Sequence, residues 1–502
     1  MATNAFCPEQ VQRILGSLQR PAVFMNMTCD WPVLQWTVDY LSQCLGEKTV
    51  RFRMGKRRHN HTPLFETQCS YLEAKLKEFQ FWTDGETGAE QVGSFSNYPL
   101  SQFWAYADYK HIELLLQDKP SMFEDVVWSQ FGFPSRDGRD STLWIGTDDA
   151  NTPCHLDTYG YNLVLQVQGR KRWHLFPPAD TDCLYPTRIP YEESSVFSQV
   201  NVLQPDLQRF PGFRNARVHT VTLQPGQVLF VPRHWWHFVE CIDPVTISVN
   251  SWIELEVDDE ARLGEALTKA IVCALKTTPS KDNNDDWLNP TEEGLLGHDV
   301  NIQYLSLAVD ACMERRTRNR QNQNFRTGVR SVTKRDSTGQ AKNGSSNPPG
   351  KGTPTPFNVP FGPHLVAVTW NQMAKQKTTE QSPIDPDGRG PTSDSHMLEL
   401  GSKTQSTGPG TGGGAQDQDV KACDSPTSDL LLSSEPGFRG TGKPSLEDRD
   451  QVEGREAHSH TVSVTTNDLL ECLVHPEVMT KVTELLLERR RHIQPKQSNS
   501  TS

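Results

Sequence analysis

Residues 152–160, TPCHLDTYG, set an imidazole and a carboxylate two positions apart in a run that reads as the mouth of a strand. Alternate side chains of an extended chain point the same way, so His155 and Asp157 reach toward one point while Leu156 turns into packing. The spacing alone decides little, because His111 with Glu113 and His475 with Glu477 repeat it. His111 falls in a run that reads as helix and His475 stands beside a proline, so neither is followed by strands that bring a third donor. Residues 228–240, VLFVPRHWWHFVE, supply that donor: they follow the turn Gln224-Pro225-Gly226 and alternate like a half-buried strand. His237 lies late in this run, with Trp235 and Val239 on its side of the pleat. Two imidazoles and one carboxylate on adjacent positions of a metal, with the opposite positions open, suit Fe(II) and oxygen chemistry.

Working outward, short strands are predicted at 142–147, 161–168, 171–176, 218–223, 228–231 and 245–253, punctuated by Pro177-Pro178 and Phe210-Pro211-Gly212. Short strands separated by turns, without helical periods between them, predict an antiparallel double sheet or jelly roll, a mainly β core with flanking helices. Upstream, 21–25 and 50–54 read as strands and 37–45 as a helix stopped by Gly46; 71–79, 103–116 and 123–131 also read as helices. Arg57, Arg58, His59 and His61 read as a solvated basic loop. Downstream, Leu263, Leu267, Ile271 and Leu275, then Leu305, Val309 and Cys312, form apolar stripes at helical spacing and predict a helical appendix packed on the barrel.

From 317 to 460 Gly, Ser, Thr, Pro and polar residues dominate. Such a stretch buries too little apolar surface to offset an ordering cost of about 1–2 kcal/mol per residue, so it reads as a disordered linker. Its opening is basic, from Arg315 to Arg335, and reads as a solvated end. Leu469, Leu470, Leu473, Val478, Val482, Leu485 and Leu486 then precede Arg489-Arg490-Arg491, which predicts an amphipathic terminal helix whose basic end suits the helix dipole. The expected organisation is therefore 1–130 as the N-terminal α/β part of the core, 131–256 as the metal-binding jelly roll, 257–316 as the appendix, 317–460 as linker, and 461–502 as terminal helix and tail.

The totals agree. Hydrophobic residues make up 35% of the chain, and with the 34 glycines added the share stays under the ~45–50% of ordinary globular chains, as a long polar segment requires. A net charge of -12 opposes a general nucleic-acid-binding surface. Eleven cysteines without a C-x-x-C pair, and no apolar run of signal or membrane-spanning length, point to reduced thiols, no membrane partner, and a cytoplasmic or additionally nuclear location.

An oxygenase built on these three ligands needs a cation for the far carboxylate of its co-substrate. Lys171 shares a strand face with Trp173 and Leu175, and a lysine turned into a barrel is costly unless an anion meets it. Thr152, Tyr106, Asn162 and Asn250 add a hydroxyl, a phenol and two amides able to bond a carboxylate or orient a ligand. The motifs 143–146 LWIG, TPCHLD, GRKRWHLFPP, QRFPGF, PGQVLFVPRHWWH and ISVNSW occur in the order and spacing of the JmjC-domain 2-oxoglutarate oxygenases, and the stretch from about 21 to 256 resembles their small hydroxylase-like branch. The resemblance implies a double-stranded β-helix, Fe(II) held by His155, Asp157 and His237, and 2-oxoglutarate paired with Lys171. It further implies Thr152 and Tyr106 on the same carboxylate, Asn162 and Asn250 along the co-substrate pocket, and O2 as the second substrate. Protein hydroxylation is favoured over demethylation, since no zinc-finger spacing or reader module accompanies the core. The core joined to a low-complexity tail is similar to a branch associated with small heat-shock proteins, which implies such chaperones as partners and a role in stress response. A non-catalytic scaffold and a cupin of unrelated reaction remain as alternatives from other classes.

Overall fold

A computed structural model describes residues 5–57, 61–85, 88–278, 287–290, 292, 297–332, 357–370 and 464–493. Fifteen strands are found among them: β1 (Ala22–Phe24), β2 (Thr49–Lys56), β3 (Ser70–Lys75), β4 (Phe103–His111), β5 (Thr142–Gly146), β6 (Asn151–Asp157), β7 (Tyr161–Gln168), β8 (Lys171–Phe176), β9 (Pro186–Glu192), β10 (Ser195–Ser198), β11 (His219–Leu223), β12 (Val228–Val231), β13 (Trp236–Cys241), β14 (Thr246–Ile253) and β15 (Leu365–Ala367). Helices α1 (Pro8–Leu15), α2 (Val38–Leu45) and α3 (Leu76–Thr83), with the single turns α4 (Ala89–Val92) and α5 (Ile112–Leu115), flank the core. The C-terminal half adds α6 (Asp258–Lys276), α7 (His298–Val332), α8 (Thr466–Leu473) and α9 (Pro476–Ile493).

The strands form a nine-stranded sheet, β15-β1-β12-β7-β14-β5-β4-β2-β3, and a six-stranded sheet, β11-β8-β13-β6-β10-β9, with every strand pair antiparallel. This is the expected jelly roll, a double-stranded β-helix. Its large apolar core includes Phe24, Trp31, Trp36, Phe52, Phe79, Trp128 and Phe131 and is shared with the N-terminal helices. A smaller cluster of Val23, Trp173, Leu175, Leu229, Val231, Trp235 and Val239 ties the two sheets together.

Local chemistry explains where the sequence reading holds. Thr37 caps α2 by accepting from the Tyr40 amide at 3.1 Å, and Gly46, at φ 54, ends it in a conformation that favours glycine. Where it fails, the reason differs from element to element. Residues 71–79 and 103–116 were expected as helices; instead 70–75 and 103–111 are β3 and β4, and β4 lies inside the sheet with Trp104 to Asp108 all buried, so its apolar run shows no period of two. The helix expected at 123–131 is two 3-10 turns, Pro120–Asp125 and Trp128–Phe131, closed by Gly132 at φ 90. The run 228–240 is two strands in different sheets, because Pro232 offers no ladder donor and His234 turns at φ 64. Two strands at Pro186–Glu192 and Ser195–Ser198 escaped the reading; two prolines in the first hid its pattern.

In the stretch expected to be linker, α7 continues to Val332 and β15 zips onto β1, burying Leu365 and Val368 against the sheet edge. The rest of that expectation lies outside the described residues, as do Arg58 and His59. Arg57 is not a free loop cation: it forms ion pairs with Asp148 at 2.9 Å and Asp149 at 2.5 Å. The terminal helix is split before Pro476, and both halves dock. Leu470 packs with Tyr191, Val272 and Trp287, while Leu487 packs with Leu263, Val309 and Cys312. Arg188 of β9 meets Glu265 of α6 at 2.6 Å, so α6 rests on the wall of the six-stranded sheet. No described helix is long and apolar enough to cross a membrane.

Candidate metal centre

β6 and β13 are neighbours, and their register sets His155 directly opposite His237, with ring centroids 4.2 Å apart. Asp157, two residues along β6, brings Oδ1 to 3.7 Å from the Nε2 of His155 and Oδ2 to 4.0 Å from the Nε2 of His237. One ligand atom from each of the three lies within 4.8 Å of the others, the one such cluster of His, Cys, Asp or Glu among the described residues. Both imidazoles place Nδ1 against a carbonyl two residues earlier, Pro153 at 2.8 Å and Trp235 at 3.0 Å. A carbonyl only accepts, so Nδ1 carries the proton and each Nε2 keeps its lone pair for the shared point. Burial, followed by the nearby His155, holds His237 neutral and pushes its pKa down to about 4. The indole N–H of Trp252 donates to Asp157 Oδ2 at 3.1 Å and fixes that carboxylate. The triad thus presents two neutral nitrogens and one oriented oxygen pair, a donor set that fits a divalent metal ion.

Behind it, between the sheets, lies a cavity with Lys171 at its back. Lys171 is 1% exposed, and its ammonium donates to the Tyr106 phenol at 3.1 Å and to Ser248 Oγ at 2.8 Å. The ring of Tyr106 lies 5.0 Å from it and that of Trp144 5.9 Å, and no described carboxylate is within ion-pair distance. Burial pushes the lysine pKa down to about 8. Trp173, which lines the same cavity and stacks on His237, has a buried indole N–H with no partner. A buried cation without an anion and an orphaned donor suit an anionic ligand beside the metal.

The other residues expected at the site all line this cavity. Thr152, expected just before the ligand strand, lies within β6 and bonds the Tyr106 phenol. Asn250 donates to Asn162 Oδ1 at 2.9 Å and accepts from the Trp144 indole at 2.7 Å, so the two amides are tied to each other and to the aromatic wall. Gly146 matters here: a Cβ would come within 2.8 Å of the Tyr106 ring and 2.9 Å of Cys241 Sγ.

Two bulges decide who faces inward. Between His237 and Val239 the β6 partner advances from His155 to Thr152, so an extra residue brings Thr152 and His155 to one wall although their spacing is odd. The same device between Ala107 and Lys110 of β4 turns both Tyr106 and Tyr109 toward the cavity, with Tyr109 at φ 53. The sequence reading missed Tyr109, Trp144, Trp173, Ser248 and Trp252. Ser248, Asn250 and Trp252 alternate along β14 and were legible from it; Tyr109 gave no signal, since its inward turn depends on the bulge.

A profile of the cupin-like domain family matches residues 8–259. A zebrafish (Danio rerio) protein called HSPB1-associated protein 1 homolog is 52% identical over 493 residues, covering 98% of this chain and all of the relative. The human HSPB1-associated protein 1 is 46% identical, covering 97% of this chain and 94% of its own. More distantly, lysine-specific demethylase 8 of Xenopus tropicalis is 28% identical across 47% of this chain and 48% of that relative.

Proposed function

The chain belongs to the cupin-like domain family, and we propose that its cavity binds Fe(II) and 2-oxoglutarate and hydroxylates a side chain of a protein substrate. The observation that carries the reading is the convergence of His155, Asp157 and His237, with both Nε2 lone pairs freed for one cation. Fe(II) with 2-oxoglutarate and O2 supplies the oxidising chemistry: the oxo acid loses CO2 to give succinate, and one oxygen atom enters a substrate C–H bond. The protein's own share is geometric. Lys171 meets the far carboxylate, with Tyr106, Thr152 and Ser248 bonding around it, and Trp144, Trp173 and Trp252 exclude water from the reacting end. Trp252 fixes the Asp157 carboxylate that would hold the metal. The ten described cysteines are all free thiols, which suits the reducing cytoplasm and nucleus.

Isothermal titration with Fe(II) under anaerobic conditions, followed by succinate measurement, tests the reading. The wild type is expected to bind one ion and form succinate, and Asp157→Ala to do neither; equal binding or equal succinate in both ends it.

One observation favours a second activity for the same chain: relatives similar over nearly its whole length are named for association with HSPB1. We infer an HSPB1-binding role, in the cell's stress response, that either accompanies oxygenation or replaces it in a purely scaffolding protein. Purified HSPB1 should bind equally to the wild type and to the H155A/D157A/H237A variant if scaffolding is independent of the metal; loss of binding in that variant counts against independence, and no binding to the wild type removes the role.

A further inference from the structure

Residues 357–370 lie far downstream of β14 in the chain, yet they join the open edges of both sheets. β15 zips antiparallel onto β1, with Ala22 opposite Ala367 and Phe24 opposite Leu365. Two further backbone bonds extend the ladder, from the Met25 N–H to the His364 carbonyl at 2.9 Å and from the Val368 N–H to the Pro21 carbonyl at 3.0 Å. Two residues on, Trp370 bridges to His219 of β11, the edge strand of the six-stranded sheet. The segment arrives through a tight turn in which Gly362 and Leu365 exchange backbone bonds at 3.0 and 3.2 Å, and the guanidiniums of Arg13 and Arg20 lie over the rings of Phe357 and Phe361 at 5.9 and 5.0 Å. Leu365 and Val368 point inward and are buried, while Val366 and Trp370 face outward.

What the segment packs against leads to a metal ligand. Val368 enters the cluster that holds Trp173, Trp235 and Val239. The Trp235 carbonyl accepts from Nδ1 of His237 at 3.0 Å, the bond that leaves Nε2 free for the metal, and the Trp173 ring stacks on the His237 imidazole at 5.7 Å. Trp235 is itself clasped between the two edges: its indole donates to the Gln19 carbonyl at 3.2 Å, just before β1, and its ring meets that of His219 on β11 edge-on at 5.2 Å. The two places that grip Trp235 are the two that residues 357–370 join.

We propose that the seam between the edges of β1 and β11 is a binding site for an extended apolar strand, that residues 357–370 fill it, and that filling it sets metal affinity by positioning Trp235 and, through it, His237. The coupling rests on the triad being the metal site; the strand site does not. The ligand class follows from the contacts: a backbone able to pair with Pro21 to Phe24, large apolar side chains where Leu365 and Val368 sit, and an aromatic ring before the turn to meet Arg20. The seam reads this chemistry rather than its connection to the chain, so the same sequence binds when supplied as a separate peptide.

The test uses the full chain with Leu365→Asp, in which an unpaired buried carboxylate unseats the strand, together with a labelled peptide of residues 357–370 and calorimetric titration of cobalt(II). A strand tied to its own chain competes at an effective concentration of about millimolar. Well below that range the wild type should ignore the peptide and Leu365→Asp should bind it, and a peptide carrying Leu365→Asp should bind neither. Without peptide, Leu365→Asp should hold cobalt about 10–100-fold more weakly than the wild type, the loss seen when a group that orients a metal ligand is disturbed; saturating peptide should restore the affinity. Recovery in trans separates positioning from general damage, which a peptide does not repair. Val368→Ala keeps the backbone ladder and carries the test if Leu365→Asp does not fold: cobalt affinity should fall while the Ala22–Phe24 amides exchange as in the wild type. A Leu365→Asp protein with freely exchanging Ala22–Phe24 amides that still ignores the peptide overturns the strand site. Wild-type cobalt affinity in Leu365→Asp or in Val368→Ala overturns the coupling alone, and a wild type that binds no cobalt overturns the metal reading and the coupling while the peptide result still decides the strand site.

Discussion

Replacing Lys171 by methionine should make the ligand-free protein more stable and the co-substrate site useless. The lysine's pKa falls from 10.5 to about 8 because its ammonium is taken out of water. Each tenfold step in proton affinity is about 1.4 kcal/mol, so holding the charged form costs about 3 kcal/mol at neutral pH. Methionine removes that cost, fills much of the same volume, and leaves the Tyr106 phenol and Ser248 hydroxyl short of a partner at about 1 kcal/mol each. A net gain of about 1 kcal/mol remains, worth a few degrees in Tm. The sign follows from linkage: the folded state holds this proton less tightly than the unfolded state, so wild-type stability rises with pH between about 8 and 10.5, and the advantage of Lys171→Met, present below 8, fades across that window. The assay is thermal unfolding of metal-free wild type and variant from pH 6.5 to 10.5, with 2-oxoglutarate titrated calorimetrically at pH 7. A variant less stable at pH 7, a pH-independent difference, or undiminished 2-oxoglutarate affinity refutes the claim that this cation waits for an anion.

Other outcomes follow from the same geometry. Trp252→Phe removes the donor that orients Asp157, so metal affinity should fall by about 10–100-fold with Tm little changed, read by titration with Co(II). Gly146→Ala would push the Tyr106 ring aside; 2-oxoglutarate binding should weaken while metal affinity holds, and parallel losses of both would argue against a separate co-substrate wall. Leu470→Ala leaves a hole beneath β9 beside Tyr191, Val272 and Trp287 and should cost about 2–5 kcal/mol locally, seen as faster hydrogen exchange in α8 and β9 with β6 unaffected. Leu365→Asp should unseat β15, detected as faster exchange of the Ala22–Phe24 amides.

The sequence was most informative where turn residues bound a strand, even one buried on both faces such as β7 between Gly160 and Gly169. Lys171, Trp173 and Leu175 alternate cleanly, and β7 and β8 begin and end where the pattern says they should. It was least informative in β4, which is buried on both faces and runs directly into α5 with no turn residue between them, so that its apolar run mimicked a helix and hid the strand that carries Tyr106 and Tyr109. The ligands His155 and Asp157 were legible because they sit two apart on one strand; His237 was legible by residue type although its strand was drawn too long. What linear spacing cannot encode is pairing across strands. The opposition of His155 and His237 is a register fact, and the inward turn of Thr152 and Tyr109 needs an extra residue that only the partner strand reveals. Leu365 and Val368 were unreadable for a related reason: three residues suffice for a strand when a sheet edge is already waiting.

The buried acids around Arg53 give a counterpart to Lys171. Arg53 is fully buried and faces Asp108 at 2.6 Å and Glu66 at 3.7 Å, while Asn289 bridges Glu66 to Glu192. One guanidinium cannot neutralise three buried carboxylates, and burial, with Asp108 and Glu192 adding to it against the pull of Arg53, pushes the Glu66 pKa up to about 8. The folded state therefore binds this proton more tightly than the unfolded state, whose carboxyl titrates near 4.5. Stability from Glu66 is complete below about 4.5 and is lost as pH rises through 8, the range in which Lys171 begins to restore it. The two groups together place a minimum in their joint contribution to stability near pH 8. Glu66→Gln mimics the protonated acid and should flatten the descending side alone, as Lys171→Met flattens the rising side alone; a Glu66→Gln protein whose Tm falls from pH 5 to 8 as steeply as the wild type would show that the proton resides elsewhere in the cluster.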